Sequence, residues 1–221
     1  MSALAGAMRS EWSMPDSRWP HGMVIEIDNH DHRICELLWA RDSYHIAQGS
    51  DDLPPALWPE PTMPPENHPA AALRRSWAPV WRRLWAAALA WYATRDGDVN
   101  LASHALAADE HTEFEQLARA LDPPSWFDAV GTDNFDTLAF ARWDEDSVNL
   151  LLSAHEIGEP EDAVLDSVVA AWRRGLARIV EIPTIGEYTR VLSENTLLVT
   201  AATRSNPGAY DRALNAFCAR P

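Results

Sequence analysis

Seven prolines fall within the nineteen residues from Asp51 to Pro69, and no other feature limits the fold of this chain so sharply. Each proline holds φ near about −65° and lacks the backbone N–H that a helix interior or a central strand must donate. The stretch 51–69 therefore reads as a long surface loop or linker. It separates an N-terminal region, 1–50, from everything after residue 70.

Beyond the loop the pattern becomes helical. Leu73, Trp77, Val80, Trp81, Leu84, Trp85, Ala88, Trp91 and Tyr92 recur at three- and four-residue spacing on one wide apolar arc, with Arg75, Arg82 and Arg83 opposite. This predicts a long helix with Trp81 and Trp85 buried, and Pro79 must either begin it or kink it. Leu106, Phe114, Leu117 and Leu121 mark a second amphipathic helix, which Pro123 and Pro124 stop.

On the N-terminal side, Gly22 to Asp28 and Ile34 to Ala40 flank a polar stretch and read as a hairpin. The C-terminal part alternates. A strand over Val148 to Ala154, a helix over Glu161 to Leu176 and a strand over Ile179 to Ile182 form a βαβ-like unit. A short helix near Glu187 to Leu192, a strand over Thr196 to Thr200 and a helix over Pro207 to Phe217 capped by Asn206 continue it. The expectation is an α+β fold with a mixed sheet of about five strands and packed helices. Its parts are the hairpin region 1–50, the loop 51–69, the Trp-rich and acidic helices 70–125 and the β/α region 126–221, together one domain.

Composition removes several chemistries. All 18 basic residues are arginine, so the Schiff-base lysine, the Walker A lysine and the kinase lysine are absent. The nine glycines never come closer than Gly175 and Gly186, which excludes GxGxxG, P-loop and GxSxG turns. Cys35 and Cys218 are too few for a disulfide framework or a four-cysteine zinc site. The longest apolar run, Leu84 to Ala93, is shorter than the ~20 residues of a membrane span, and Met1 to Trp12 lacks the basic start of a secretory signal. These features point to a cytoplasmic protein with reduced thiols and no cofactor.

Three groups of residues carry possible chemistry. Asp28, His30 and His32 form a DxHxH pattern after a strand-like run, which resembles the metal-binding strand end of amidohydrolase-type metal-dependent hydrolases. The resemblance implies a metal held by Asp28, His30 and His32, with His155 as a further ligand. His104, His111 and Glu115 share one side of the second helix, at a spacing open to a metal or proton relay and equally to a solvated face with His111 paired to Glu115. If the C-terminal strands are parallel, a ligand crevice lies beyond their carboxyl ends. His155, Glu156, Thr184, Thr203, Arg204, Ser205 and Asn206 would border it, with Arg204, Ser205 and Asn206 placed to hold a small anion at a helix start.

Charge supplies the leading functional reading. The chain carries −15 overall, yet residues 96–166 contain 18 acids against Arg119 and Arg142, and the rest is close to neutral. A concentrated acidic face disfavours nucleic acid and favours a cationic protein partner. The clustering of Trp77, Trp81, Trp85 and Trp91 on one arc favours core over a nucleobase platform. The sequence thus suggests a non-enzymatic interaction protein, inhibitor- or immunity-like, that engages a basic partner through Glu110, Glu113 and Glu115. A small metal-dependent hydrolase and a small-anion sensor are the alternatives.

Overall fold

A computed structural model describes residues 5–9, 19–47, 52–62, 69–94, 123–155 and 159–220, with 5–9, 132 and 152–155 in backbone only. Five strands, β1 (Ala5–Arg9), β2 (Val24–Asp28), β3 (Arg178–Ile182), β4 (Thr189–Val191) and β5 (Thr196–Thr200), form a mixed sheet in the order β1-β2-β3-β5-β4. The inner three are parallel, with Ile27 beside Ile179 and Ile179 beside Leu197, while β1 and β4 run antiparallel at the edges.

Every residue of β3 and β5 is buried, because helices cover both faces of the sheet. The two-residue period of a strand divides their side chains between two cores. Ile179, Leu197 and Val199 meet Ile25, Ile27, Val168, Leu214 and Phe217 on one face. Val180, Ile182 and Leu198 meet the aromatic cluster of Trp39, Trp77, Trp81 and Trp126 on the other. The first face carries α5 (Leu165–Arg173) and α7 (Pro207–Cys218); the second carries α1 (His32–Ser43), α2 (Ala71–Thr94), α3 (Trp126–Val130) and α4 (Thr137–His155). The α+β class holds.

Several elements differ from the sequence reading. Ile34 to Ala40 is not the second arm of a hairpin but the body of α1, which Asp31 caps by accepting from the N–H groups of Arg33 and Ile34. The helix is buried on nearly all sides, so its sequence shows no polar face from which a helical period could be read. Val148 to Ala154 lies inside α4, and the βαβ-like unit that was to begin there is absent; β3 instead pairs with β2, some 150 residues earlier. The segment Glu187 to Leu192 holds β4, turned back onto β5 by a hairpin closed between the Leu192 N–H and the Thr196 carbonyl. The helix expected from Glu161 begins as a 3-10 turn, Pro160–Val164, before α5.

The long Trp-rich helix is present and runs through Pro79. Trp81 has no exposed surface, stacks on Trp85 at 5.6 Å between centroids, and donates from its indole N–H to the Leu37 carbonyl at 2.6 Å. This one side chain joins α2 to α1. Trp81→Ala should therefore destabilise the fold by about 3 to 5 kcal/mol in urea denaturation, through the cavity and the lost indole hydrogen bond together. A loss below about 1 kcal/mol would mean that the arc does not seat on α1 as described.

Candidate functional site

The parallel strands deliver their carboxyl ends to one edge of the sheet, and buried polar residues including Asp28, Glu181, Thr184, Thr200 and Arg204 lie there. After β3 the chain passes through Pro183, Thr184 and Ile185; after β5 it enters the short helix α6 (Ala201–Ser205), capped by the Thr200 hydroxyl. Gly186, at φ +73°, supplies the left-handed turn that follows Ile185. The Thr200 hydroxyl donates to the Gly186 carbonyl at 2.8 Å and the Tyr188 N–H donates to the Thr203 hydroxyl at 3.1 Å, so the two strand ends are tied together.

The proline-rich loop closes the third side. Arg41 donates to the Pro54 and Pro55 carbonyls at 2.6 and 2.7 Å, and Asp42 accepts from the Leu57 N–H at 2.7 Å. The loop then pairs with the end of β3: the Trp58 N–H donates to the Pro183 carbonyl and the Ile185 N–H to the Ala56 carbonyl, both at 2.8 Å. Trp58 is thereby fixed beside Ile185.

Between these segments and α4 lies a cavity of about 570 Å³, within the range of small-molecule sites. Its walls are mainly apolar. Trp58, Leu150 and Ile185 edge it while remaining 61%, 49% and 49% exposed, which makes it the place where exposed large apolar side chains of the described residues converge. Thr184 lines it at 2% exposure, and its hydroxyl has no hydrogen-bond partner.

Glu181 and Arg204 form the charged part of the lining. Arg204 is buried and donates to Glu161 through Nε and Nη2 at 2.7 and 2.8 Å and to Glu181 through Nη1 at 2.8 Å. Burial by itself would lower the guanidinium pKa, but the bonds to Glu161 and Glu181 outweigh it and raise it. Arg204 thus spends three of its N–H donors on carboxylates. Ser205 donates to the Ala202 carbonyl and Asn206 caps α7 through the Ala209 N–H, so the three residues expected to hold an anion take part in ion pairing and helix capping.

A second cluster occupies the carboxyl end of β2, where Asp28, Asn29, His30 and Asp31 are all buried. His30 Nε2 lies 2.8 Å from one oxygen of Asp144 and His32 Nδ1 lies 3.2 Å from the other, so α4 is clamped to the start of α1. Here the DxHxH residues part from the expected metal set: the two imidazoles converge on Asp144, and the described residues contain no group of three His, Cys, Asp or Glu fit to hold a metal. Cys35 Sγ stands 4.0 Å from His30 Nδ1, which gives Cys35, His30 and Asp144 the order of a nucleophile, base and orienting acid. The thiol, however, has no exposed surface. Burial pushes its pKa well up, and Asp144, Asp31 and Asp28 push it further, so the reactive thiolate is disfavoured.

His155 is described in backbone only, as the end of α4, and Glu156 lies outside the described residues. The acidic triplet Glu110, Glu113 and Glu115 lies outside them too, as do His104 and His111. Sequence reasoning missed Asp144, hidden in an ordinary acidic run, and Trp58, hidden among prolines. No described helix is long and apolar enough to cross a membrane. No family model, curated protein or solved structure matches the chain.

The clamp has a definite pH signature. For Asp144 burial favours the neutral acid, but the bonds to His30 and His32 outweigh it and hold the carboxyl well below its ordinary 3.8, so its contribution is present above that value and lost as pH falls below it. The hydrogen bond to Asp144 raises His32 above its ordinary 6.5, against the opposing effect of burial; Glu36 adds to the rise and Arg33 opposes it. The His32 contribution is complete below 6.5 and lost as pH rises through the elevated value. His32 is half exposed, so water screens the effect. The stability gap between the native chain and Asp144→Asn should therefore be wider at about pH 5 than at about pH 8.5 in urea titrations, and an equal gap at both would remove the imidazolium from the account.

Proposed function

We propose that this chain binds a small, largely apolar molecule in the crevice at the carboxyl ends of β3 and β5. The observation that carries the reading is the cavity of about 570 Å³ edged by Trp58, Leu150 and Ile185. Exposed apolar side chains scattered singly are ordinary, whereas three around one concavity mark a surface that a ligand would cover. The carboxyl end of parallel strands is where open sheets place ligands, and the anchored loop supplies a preformed wall. The sealed Cys35 and the clamped His30 and His32 favour binding over catalysis. The acidic-partner reading rests on charge in the sequence alone, since Glu110, Glu113 and Glu115 lie outside the described residues.

A neutral fluorescent hydrocarbon amine, N-phenyl-1-naphthylamine, tests the reading because its emission rises in apolar surroundings. Saturable binding of one dye per chain is expected. Ala202→Phe, which places a ring on the α6 wall of the cavity, should lower affinity at least about tenfold without lowering thermal stability by more than a few degrees. Absence of saturable binding, or equal affinity in the variant, would remove the crevice as the site.

A further inference from the structure

We infer that the crevice takes a neutral ligand whose apolar body carries a carbonyl oxygen, and that the Ser147 hydroxyl donates to that oxygen. The inference rests on the binding reading above and assigns its ligand class and the residue that recognises it. It starts from α4, which forms one wall. Ser147, Leu150 and Leu151 line the cavity at the three- and four-residue spacing that places side chains on one side of a helix. That side is held in place one turn earlier. Asp144 takes His30 and His32, and the Trp143 indole donates to the Pro59 carbonyl at 2.6 Å, which ties α4 to the loop that carries Trp58. The place of Ser147 on the wall is thereby set by the fold before any ligand arrives.

Ser147 is only 3% exposed, and its hydroxyl has no hydrogen-bond partner among the described residues. A helical serine without another partner turns back onto a carbonyl of the preceding turn, as Ser76 does onto Leu73, but Ser147 makes no such bond. Its oxygen is not sealed in the way that of Thr184 is, so a molecule in the cavity can reach it. A polar group largely withdrawn from water and left unpaired costs free energy, and the cost is recovered when a ligand supplies the partner.

The surrounding groups decide which partner is wanted. The carbonyls of Pro59, Pro183, Gly186 and Ala202 already accept from Trp143, Trp58, Thr200 and Ser205. What the lining lacks is an acceptor for the Ser147 O–H, and a ligand oxygen provides one. The charged lining residues, Arg204 and Glu181, meet each other at 2.8 Å, and Arg204 also holds Glu161. An ionic ligand would enter an apolar space whose charges are engaged with one another, and the loss of its hydration would go uncompensated. A carbonyl meets the hydroxyl without bringing a charge.

Four probes of similar shape separate this inference from the reading beneath it: 1-acetonaphthone, its hydrocarbon counterpart 1-isopropenylnaphthalene, 1-naphthoate and 1-naphthylmethylamine, each measured by displacement of N-phenyl-1-naphthylamine. The ketone should bind at least about tenfold more tightly than either ion. Ser147→Ala should lower ketone affinity about fivefold and leave the affinities for the hydrocarbon and the dye unchanged. Alanine suits a helix and the hydroxyl it removes has no partner, so the ligand-free variant should be as stable as the native chain, which thermal unfolding checks. If Ser147→Ala changes ketone and hydrocarbon affinity alike, or changes neither, the hydroxyl does not hold the carbonyl and the inference falls while the crevice stands. If either ion binds as tightly as the ketone, the neutral class is wrong and the crevice again stands. If neither dye nor probes bind, the crevice itself is refuted.

Discussion

Glu161 has no exposed surface, yet it is a carboxylate, and the C-terminal half of the structure is arranged to keep it satisfied. It accepts from Arg204 Nε and Nη2 and from the Tyr210 hydroxyl, while Arg204 passes its remaining reach to Glu181. These groups come from the 3-10 turn, β3, α6 and α7, so one buried ion cluster fixes four elements. Two charges withdrawn from water stabilise little beyond what their desolvation costs, but removing one member strands the other, at about 3 to 5 kcal/mol. The cluster therefore acts through specificity. The elements meet where Glu161 and Glu181 both reach Arg204, and the crevice floor inherits that rigidity.

The opposite face of the sheet is held by a different principle. There the contacts are aromatic: Trp39 meets Tyr44, Phe135 and Phe140 edge-on at centroid distances of 5.4 to 5.7 Å, and Trp77 meets Trp126 at 5.6 Å and 87°. Large rings bury much area per residue and lose little side-chain entropy, which suits a set of helices that must carry a long irregular loop. Arg41 links the two regimes. It lies over the Trp81 ring at 5.9 Å and spends its donors on the loop carbonyls, so the aromatic core and the wall of the crevice are positioned by one side chain.

The legible parts of the sequence were those with a local signal. The Trp-rich helix displays its arc because its opposite side is solvated, α7 declares itself through Asn206 and Pro207, and β3 and β5 stand out as short aliphatic runs. Where the signal is a bare apolar run it misleads. Ile34 to Ala40, buried throughout, and Val148 to Ala154 are apolar runs without a visible period, and neither strand nor helix can be read from such a run alone. The rule that ligands gather at the carboxyl ends of parallel strands pointed to this edge of the sheet, and Thr184 and Arg204 line the cavity there. Its chemistry was not legible, because the partners of Arg204 lie 43 and 23 residues away. For the same reason Asp144, more than a hundred residues from His30 and His32, could not be joined to them from spacing.

The same sheet edge thus carries two polar clusters with opposite fates. At the end of β2 Asp28, Asn29, His30 and Asp31 are buried, Asp31 caps α1, and Asp144 takes both the buried His30 and the half-exposed His32. At the ends of β3 and β5 the ion pairs are equally closed, but one hydroxyl is left without a partner beside an apolar hollow that three exposed side chains edge. His30 and His32 of the DxHxH sequence are thus engaged by Asp144, while the Thr184 hydroxyl at the edge of the crevice is buried without a partner.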